Sequence, residues 1–309
     1  MKVLVVIVTY NAEKYIYKCI EKLRNVSNIS EIYVIDNNST DKTIFILENI
    51  EFAKITIKKQ SFNLGFGGAN NLGFNYFIQG EFDFLLLLNQ DVYFDPFYLF
   101  EDIKGDLEFY SKNVITPIHL NSQENDFDIN FNKYLSAELK KRKCVVKKYN
   151  NRINLLIELN YSNAAFWLIP RQIVEKIGGF NPYFFHYGED VNWAHRLNFH
   201  GFAFYCILNY NLVHDRLLFG NKGFFDSNNL ERAAMLELLN INQSIIVSLL
   251  KVFLLLIFYI FKVKLFSPIK FLFNIITVLK VCNKLFLSSN SIRMSRIFEK
   301  EKNLTWLNK

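Results

Sequence analysis

The sequence predicts an α/β fold: a single Rossmann-like nucleotide-binding domain on a mostly parallel central sheet, followed by C-terminal amphipathic helices. Three observations predict it. Short apolar runs alternate with helical patterns along the first third of the chain. Each apolar run ends in a cluster of polar residues. The last part of the chain has a composition of its own. At 309 residues, 51% hydrophobic and 21% charged, the chain is long enough for a large core and lies outside the disordered range. Only 12 Gly and 5 Pro exclude fibrous and linker-like classes. The four cysteines, Cys19, Cys144, Cys206 and Cys282, have no metal-ligand spacing and read as reduced thiols of a cytosolic protein. Met1–Tyr10 enters a strand-like run directly, so no signal peptide is expected.

Val3–Thr9 is a continuous apolar run, as expected of a strand buried on both faces. A helix pattern covers about Ala12–Arg24. Glu31–Asp36 reads as a second strand, and Ser39 or Thr40 is placed to cap a helix reaching about Asn49. A third strand is expected at Ala53–Lys58, a helix at about Gly67–Ile78, and a fourth buried strand at Asp83–Leu88. Residues 121–160 are polar and basic (Lys140 to Lys143, Lys147, Lys148) and are expected to form an insertion or flap. Regular structure resumes at Ser162–Ile169, Pro170 opens a short helix, Glu189–His200 reads as a helix and Ala203–Val213 as a strand. Right-handed crossovers between parallel strands would bring the polar residues after them to one edge, where ligands of such sheets bind.

Those residues carry the candidate chemistry. Asp36 ends the second strand, where a base would sit; its carboxylate accepts hydrogen bonds only, which suits the N3–H of uracil or thymine. The alternative is a helix cap. Asn63-Leu64-Gly65-Phe66-Gly67-Gly68-Ala69-Asn70-Asn71 is glycine-rich before a helix, yet Asn70 breaks the dinucleotide fingerprint and no phosphate-loop lysine follows. It presents helix N–H groups to a phosphate or serves close packing. Asn89-Gln90-Asp91 follows the most apolar strand, and Asp91 offers an oxygen to a hard cation. Glu189-Asp190 opens a helix, where carboxylates are favoured and can act as a general base. His214 ends a strand and can ligate a metal beside Asp91.

The tail differs from the rest. Ile245–Lys309 carries 11 Lys/Arg against 2 Asp/Glu, a net +9, while the preceding residues carry 25 against 27. Because this segment is also very apolar, the pattern favours an anionic membrane surface over nucleic acid. Ile245–Phe261 has 17 residues and one charge, Lys251, short of the roughly 20 that span a bilayer. Helices lying in the interface are expected, with lysines such as Lys262, Lys264, Lys270, Lys280 and Lys284 reaching phosphates. A packed helical layer or a homodimer interface is the alternative. The domain boundaries follow as 1–240 and 241–309.

Taken in order, VVIVTYNAE, VIDNNSTD, FNLGFGGANNLG, LLLLNQDV, GGFNPYFFHYGEDVNWAHRLNFHGF and VHD resemble family 2 inverting glycosyltransferases of the GT-A fold. The resemblance is nearest to the bacterial rhamnosyltransferase-like branch of O-antigen and capsule synthesis. It implies that Thr9, Tyr10, Asn11, Asp36 and Asn38 bind the nucleoside. Asn63, Gly65, Gly67, Gly68 and Asn71 would border the donor pocket, with Asn89 and Gln90 at the metal motif. Asp91 and His214 would hold Mg²⁺ or Mn²⁺, and Asp190 would be the base with Glu189 beside it. Trp193 and Trp167 are expected at the acceptor site. Asn89, Gln90 and Asn192 stand where many relatives have acids. The activity implied is transfer of a hexose or rhamnose-like sugar from a UDP- or dTDP-sugar to a lipid-linked oligosaccharide, at the cytoplasmic face of the bacterial inner membrane, by a peripheral enzyme. A nucleotidyltransferase, a dehydrogenase and a non-catalytic nucleotide-sugar-binding protein are the competing readings.

Overall fold

The computed structural model describes residues 1–24, 26–52, 54–95, 97–139, 144–149, 152–215, 227–261, 268–301 and 304–307. Strand β1 (Val3–Thr9) is buried along its length. Its side chains alternate between two cores, with Val3, Val5 and Ile7 on one face of the sheet and Leu4 and Val6 on the other. The first face is covered by α1 (Ile16–Glu21) and α2 (Thr43–Glu48), through Ile16, Cys19, Ile20 and Leu47. Between them lies β2 (Ile29–Asp36), and β3 (Ile55–Lys59) follows α2. The opposite face is covered by α3 (Gly65–Gln79), through Ala69, Phe74 and Phe77. β4 (Phe84–Asn89) returns beside β1. Pairing is parallel from β3 through β2 and β1 to β4, and the register sets Thr9 beside Asp36 and Val8 beside Asn89. The expected polar edge therefore forms.

Beyond β4 the sheet turns mixed. After β5 (Val92–Phe94), α4 (Phe97–Gly105) and α5 (Leu107–Tyr110) come β6 (Val114–Leu120), α6 (Ile129–Leu139), β7 (Cys144–Tyr149), β8 (Arg152–Leu159) and β9 (Phe166–Pro170). The chain continues through α7 (Arg171–Ile177) and α8 (Glu189–Phe199) to β10 (Phe204–His214). The strand order is β3-β2-β1-β4-β9-β6-β10-β8-β7, with β5 on β10. β9 runs antiparallel to β4 and β6, and β10 antiparallel to β5 and β8, so the parallel arrangement holds for the first four strands and for β6 with β10. An irregularity between Ile207 and Asn211 lets β10 leave β8 and reach β5, where His214 stands opposite Val92.

Described residues of the segment 121–160 pack into the sheet unit. Asp128 caps α6 by accepting from the Asn130 and Phe131 amides, Phe131 and Leu135 join the core, and β7 and β8 extend the sheet. Lys147 is ion-paired with Asp106 at 2.8 Å. Lys140 to Lys143 lie outside the described residues.

The chain divides into two units, Met1–Leu217 with Asn303–Lys309, and Leu218–Lys302. Helix α9 (Ser227–Leu238) goes with the tail, and the last residues return to the sheet unit. There Gly179 N–H donates to Thr305 O at 2.9 Å, and Leu307 enters the core. The second unit holds α9, α10 (Ile245–Phe261), α11 (Pro268–Leu287) and α12 (Ser289–Lys300). Among the described residues no single helix is long and apolar enough to cross a membrane; α11 from Lys270 and α12 pass that test only as a pair bent by 59°. Lys262 and Lys264 lie outside the described residues.

Candidate active site

The loops after β1, β2 and β4 meet at the carboxyl edge of the sheet. Asp36, 2% exposed, accepts from Thr9 Oγ1 at 3.0 Å, Ser39 Oγ at 2.5 Å and the Ser39 amide at 3.0 Å. It does not cap α2. That carboxylate is Asp41, which accepts from the Thr43 amide at 3.0 Å and the Thr43 hydroxyl at 2.5 Å. Burial raises the Asp41 pKa, but the bonds from Thr43 and the Glu13 amide outweigh it and hold the carboxyl below its usual value. Asn11 and Asn38 sit at φ 51° and 68°, left-handed positions that asparagine tolerates better than other side chains. Asn11 Oδ1 accepts from the Thr40 amide at 2.9 Å, joining the first two loops. Tyr10 is exposed, and its amide donates to Gln90 Oε1 at 2.8 Å while Gln90 Nε2 donates back to Tyr10 O. Gln90 therefore clamps the β1 loop to the β4 loop.

Asn37, one of the polar residues expected at this edge, was given no role of its own by the sequence reading. It accepts from the Leu64 amide at 2.7 Å and donates to Asn63 Oδ1 at 2.9 Å and Gly65 O at 3.2 Å. These bonds anchor the glycine-rich segment at the start of α3. Gly65 has φ +74°, and a Cβ there would lie 2.0 Å from Phe185 O. Gly67 faces Phe184 and Glu189 at contact distance, and Gly68 faces Leu64. Close packing thus requires glycine at Gly65, while a Cβ at Gly67 would meet its neighbours at ordinary contact distance.

That packing brings the start of α8 to the edge. Asp190 stands in the first turn of α8 and is partly exposed, whereas Glu189 is 3% exposed. The Tyr161 hydroxyl donates to Asp190 Oδ2 at 2.5 Å and the Val191 amide to Oδ1 at 2.8 Å. Burial pushes the Asp190 carboxyl above its usual range, against the bonds from Tyr161 and backbone amides. The phenol of Tyr161 is pushed well up by burial and by the neighbouring carboxylate. Segment 161–166 also ties Asp190 to the end of β4, because Ala165 O accepts from the Asn89 amide at 2.9 Å and Phe166 pairs with Leu88.

On the other side of β4, the β5–β10 pairing sets His214 beside Asp91. His214 Nε2 lies 3.6 Å from Asp91 Oδ1, and Nδ1 lies 3.7 Å from Asp128 Oδ2. The Asp215 amide donates to Asp91 O at 2.8 Å. Among the described residues no three His, Cys, Asp or Glu side chains form a closed metal cage. The pair nevertheless fits a hard cation shared with a diphosphate, which takes one or two protein ligands and completes its shell with phosphate and water. His214 Nδ1 is buried, has no hydrogen bond and lies 3.7 Å from the Asp128 carboxylate, so a small approach would form the hydrogen bond that orients a ligating imidazole. Asp128 was missed because its loop read as a flap; the signal available was its place immediately before a helical pattern, as a cap.

Three expectations are corrected. Trp167 and Trp193 are 0% exposed. Their indole N–H groups donate to Ser162 O at 3.2 Å and Gly178 O at 3.0 Å, and their rings pack at 5.0 Å. They are core residues beneath the site and cannot line an acceptor cleft. Asn71 does not border the pocket through its amide, which accepts from the Phe180 amide at 2.7 Å and donates to Phe180 O at 2.9 Å.

A half-parallel sheet with nucleotide-site loops at one edge and a carboxylate-bearing helix beside it is the architecture of GT-A glycosyltransferases. The family model "Glycosyl transferase family 2" matches residues 4–178, and the chain belongs to that family. The family is one of glycosyltransferases. No curated protein matches the chain. Among solved structures, S. aureus TarS 1–349 in complex with UDP aligns at TM-score 0.56 and 16% identity, covering 97% of this chain and 89% of that one. GalNAc-T7 with UDP, GalNAc and Mn²⁺ aligns at TM-score 0.58 and 13% identity, over 76% and 47%. The Pyrobaculum calidifontis mannosyltransferase PcManGT with GDP-Man and Mn²⁺ aligns at TM-score 0.54 and 12% identity, over 94% and 75%. At these identities the likeness is one of fold.

Proposed function

We propose that this chain is a metal-dependent inverting glycosyltransferase of the rhamnosyltransferase-like branch. It moves a hexose or rhamnose-like sugar from a UDP- or dTDP-sugar to a lipid-linked glycan, at the cytoplasmic face of a bacterial inner membrane, in cell-surface polysaccharide synthesis. The observation that carries the reading is Asp190. It is a partly exposed carboxylate on the first turn of α8, held by Tyr161 and linked through Ala165 to the β4 end that carries Asn89 and Asp91. Asp190 takes the proton of the acceptor hydroxyl as that oxygen attacks the anomeric carbon. The bond from carbon to the diphosphate oxygen breaks on the opposite face. The nucleoside diphosphate leaves with the bonding electrons, and the configuration inverts. Glu189, at 3% exposure, is the less accessible of the two carboxylates.

Asp91 and His214 would hold Mg²⁺ or Mn²⁺, which supplies positive charge for the leaving diphosphate. Gln90 is committed to Tyr10, so its amide is a clamp, and Asp91 is left as the carboxylate beside His214. Asp36, already bonded by Thr9 and Ser39, is fixed as an acceptor for a pyrimidine N3–H. Two of the structural neighbours were solved with UDP, which supports a uridine donor. The membrane-facing part rests on the second unit, whose helices expose Leu249, Leu254, Phe258, Phe273 and Leu279. The test is a thermal-shift panel of UDP-, dTDP- and GDP-sugars with and without Mn²⁺, followed by the anomeric configuration of the product. A metal-dependent rise with one pyrimidine donor and an inverted product are expected. No stabilisation by any nucleotide and no donor turnover would leave a non-catalytic binding protein.

A further inference from the structure

The second unit contains a groove of about 810 Å³ between α10 and α12, closed at one end by the last turn of α11. Its two long walls differ in character. From α10 come Ile245, Leu249 and Val252, spaced so that they share one helix face. From α12 come Arg293, Arg296 and Lys300 on one face, interleaved with Ile292 and Ile297. Arg296 is 8% exposed and donates to Leu238 O at 2.7 Å, Asn240 O at 2.8 Å and Gln243 O at 2.5 Å. Those bonds fix α12 against the link between α9 and α10, so the groove is built by a rigid framework. Arg293 and Lys300 are exposed, and among the described residues neither is ion-paired to a carboxylate. Glu299 lies near Arg296 but does not line the groove, and no lining side chain is acidic. Leu249 and Phe286, at 55% and 76% exposed, leave the apolar end open.

We propose that this groove binds one acidic phospholipid, its acyl chain against Leu249, Val252 and Phe286 and its phosphate on Arg293 and Lys300. An apolar groove with cations along one wall only matches an anionic amphiphile and leaves each alternative incomplete. A neutral lipid leaves the cations unpaired, and a soluble anion leaves the apolar wall wet. The site differs from diffuse attraction to a charged surface, because it is saturable and local. The inference rests on the membrane-associated reading of this unit, not on the chemistry of the sheet unit.

The test uses the full chain in a neutral detergent, where no anionic surface exists, with phosphatidylglycerol as the probe and native mass spectrometry as the readout. The wild type retains one lipid per chain. Arg293→Ala/Lys300→Ala lowers retention about 30-fold, the loss of two cations near a lipid phosphate, and Leu249→Glu also abolishes it. The pair Lys270→Ala/Lys280→Ala, on exposed positions away from the groove, leaves retention unchanged. Photo-crosslinking with a diazirine-bearing acyl chain places adducts on the peptides containing Leu249 and Phe286. Equal losses in both double variants, or adducts confined to Phe258 and Phe273, overturn the groove. Retention of a polyprenyl phosphate without phosphatidylglycerol overturns the choice of lipid. If the wild type binds neither the lipid in detergent nor acidic vesicles, the membrane reading of the unit fails with it; if vesicles are bound and the groove is not, only the groove fails.

Discussion

Replacing Tyr161 by Phe tests the proposed base most directly. The substitution deletes the hydroxyl that lies 2.5 Å from Asp190 Oδ2 and keeps the ring that packs on Tyr134 with centroids 4.6 Å apart. A hydrogen bond to a charged group contributes roughly 1.5–3 kcal/mol. At about 1.4 kcal/mol per tenfold, that is about 10- to 150-fold. Asp190 is partly exposed, so water can replace the lost donor, and the low end, about tenfold, is expected. The sign follows from which form the phenol favours. It stabilises the ionised carboxylate, while burial raises the carboxyl pKa. Without it, Asp190 titrates higher still. A base works only when ionised, so the acid limb of kcat/KM moves to higher pH, and the deficit shrinks as pH rises above that limb. The assay is release of nucleoside diphosphate across a pH series, with wild type and variant compared at matched donor. An unmoved limb, or the same loss at every pH, would show that Tyr161 does not act through Asp190.

Three further outcomes are expected. Asp190→Asn should lower kcat by about 10²–10⁴-fold without lowering Tm at neutral pH. Because the folded pKa is raised, the wild type loses stability as pH rises through it, a penalty the amide escapes, and the two melting curves should converge below the ordinary carboxylate range. Asp128→Asn keeps the cap on α6 but removes the carboxylate facing His214 Nδ1, so Mn²⁺ affinity measured by titration with UDP present should fall about 10- to 100-fold. Trp193→Ala should cost about 3–5 kcal/mol in denaturant unfolding, as a fully buried core residue does, with acceptor KM unchanged in whatever protein folds.

Much of the site was legible because strand ends announce themselves. VLVVIVT, EIYVID and DFLLLL each stop at a polar cluster, and parallel pairing forces those stops onto one edge. What escaped was non-local. β8 alternates Ile153, Leu155, Ile157 and Leu159, yet Leu156 between them breaks the pattern, and its face is completed only by β10. Tyr161 carries no local motif; its partner lies 29 residues on. The tryptophans misled for the opposite reason. The family resemblance suggested the cleft, but α7, α8 and β9 close on those rings, and large aromatics are worth most where they lose all contact with water.

The unusual Asn89-Gln90-Asp91 sequence makes sense once the clamps are considered together. Gln90 holds both the N–H and the C=O of Tyr10, and Asn71 holds both of Phe180. An amide can do this because it carries a donor and an acceptor side by side, whereas a carboxylate has no donor. A carboxylate at position 90 would accept from the Tyr10 amide, repel its carbonyl and add charge beside Asp91. The amide therefore trades a possible cation ligand for a fixed loop. In the proposed site that leaves Asp91 and His214, too few for a cage, so the donor diphosphate has to complete the cation's shell. Cation and donor must then bind reciprocally, each raising the other's affinity by the same factor. Mn²⁺ titrated against the protein alone should bind weakly, and the gain conferred by UDP should equal the gain in UDP affinity conferred by Mn²⁺. Tight Mn²⁺ binding without nucleotide would mean that further ligands exist and that Gln90 is not the reason the acid is missing.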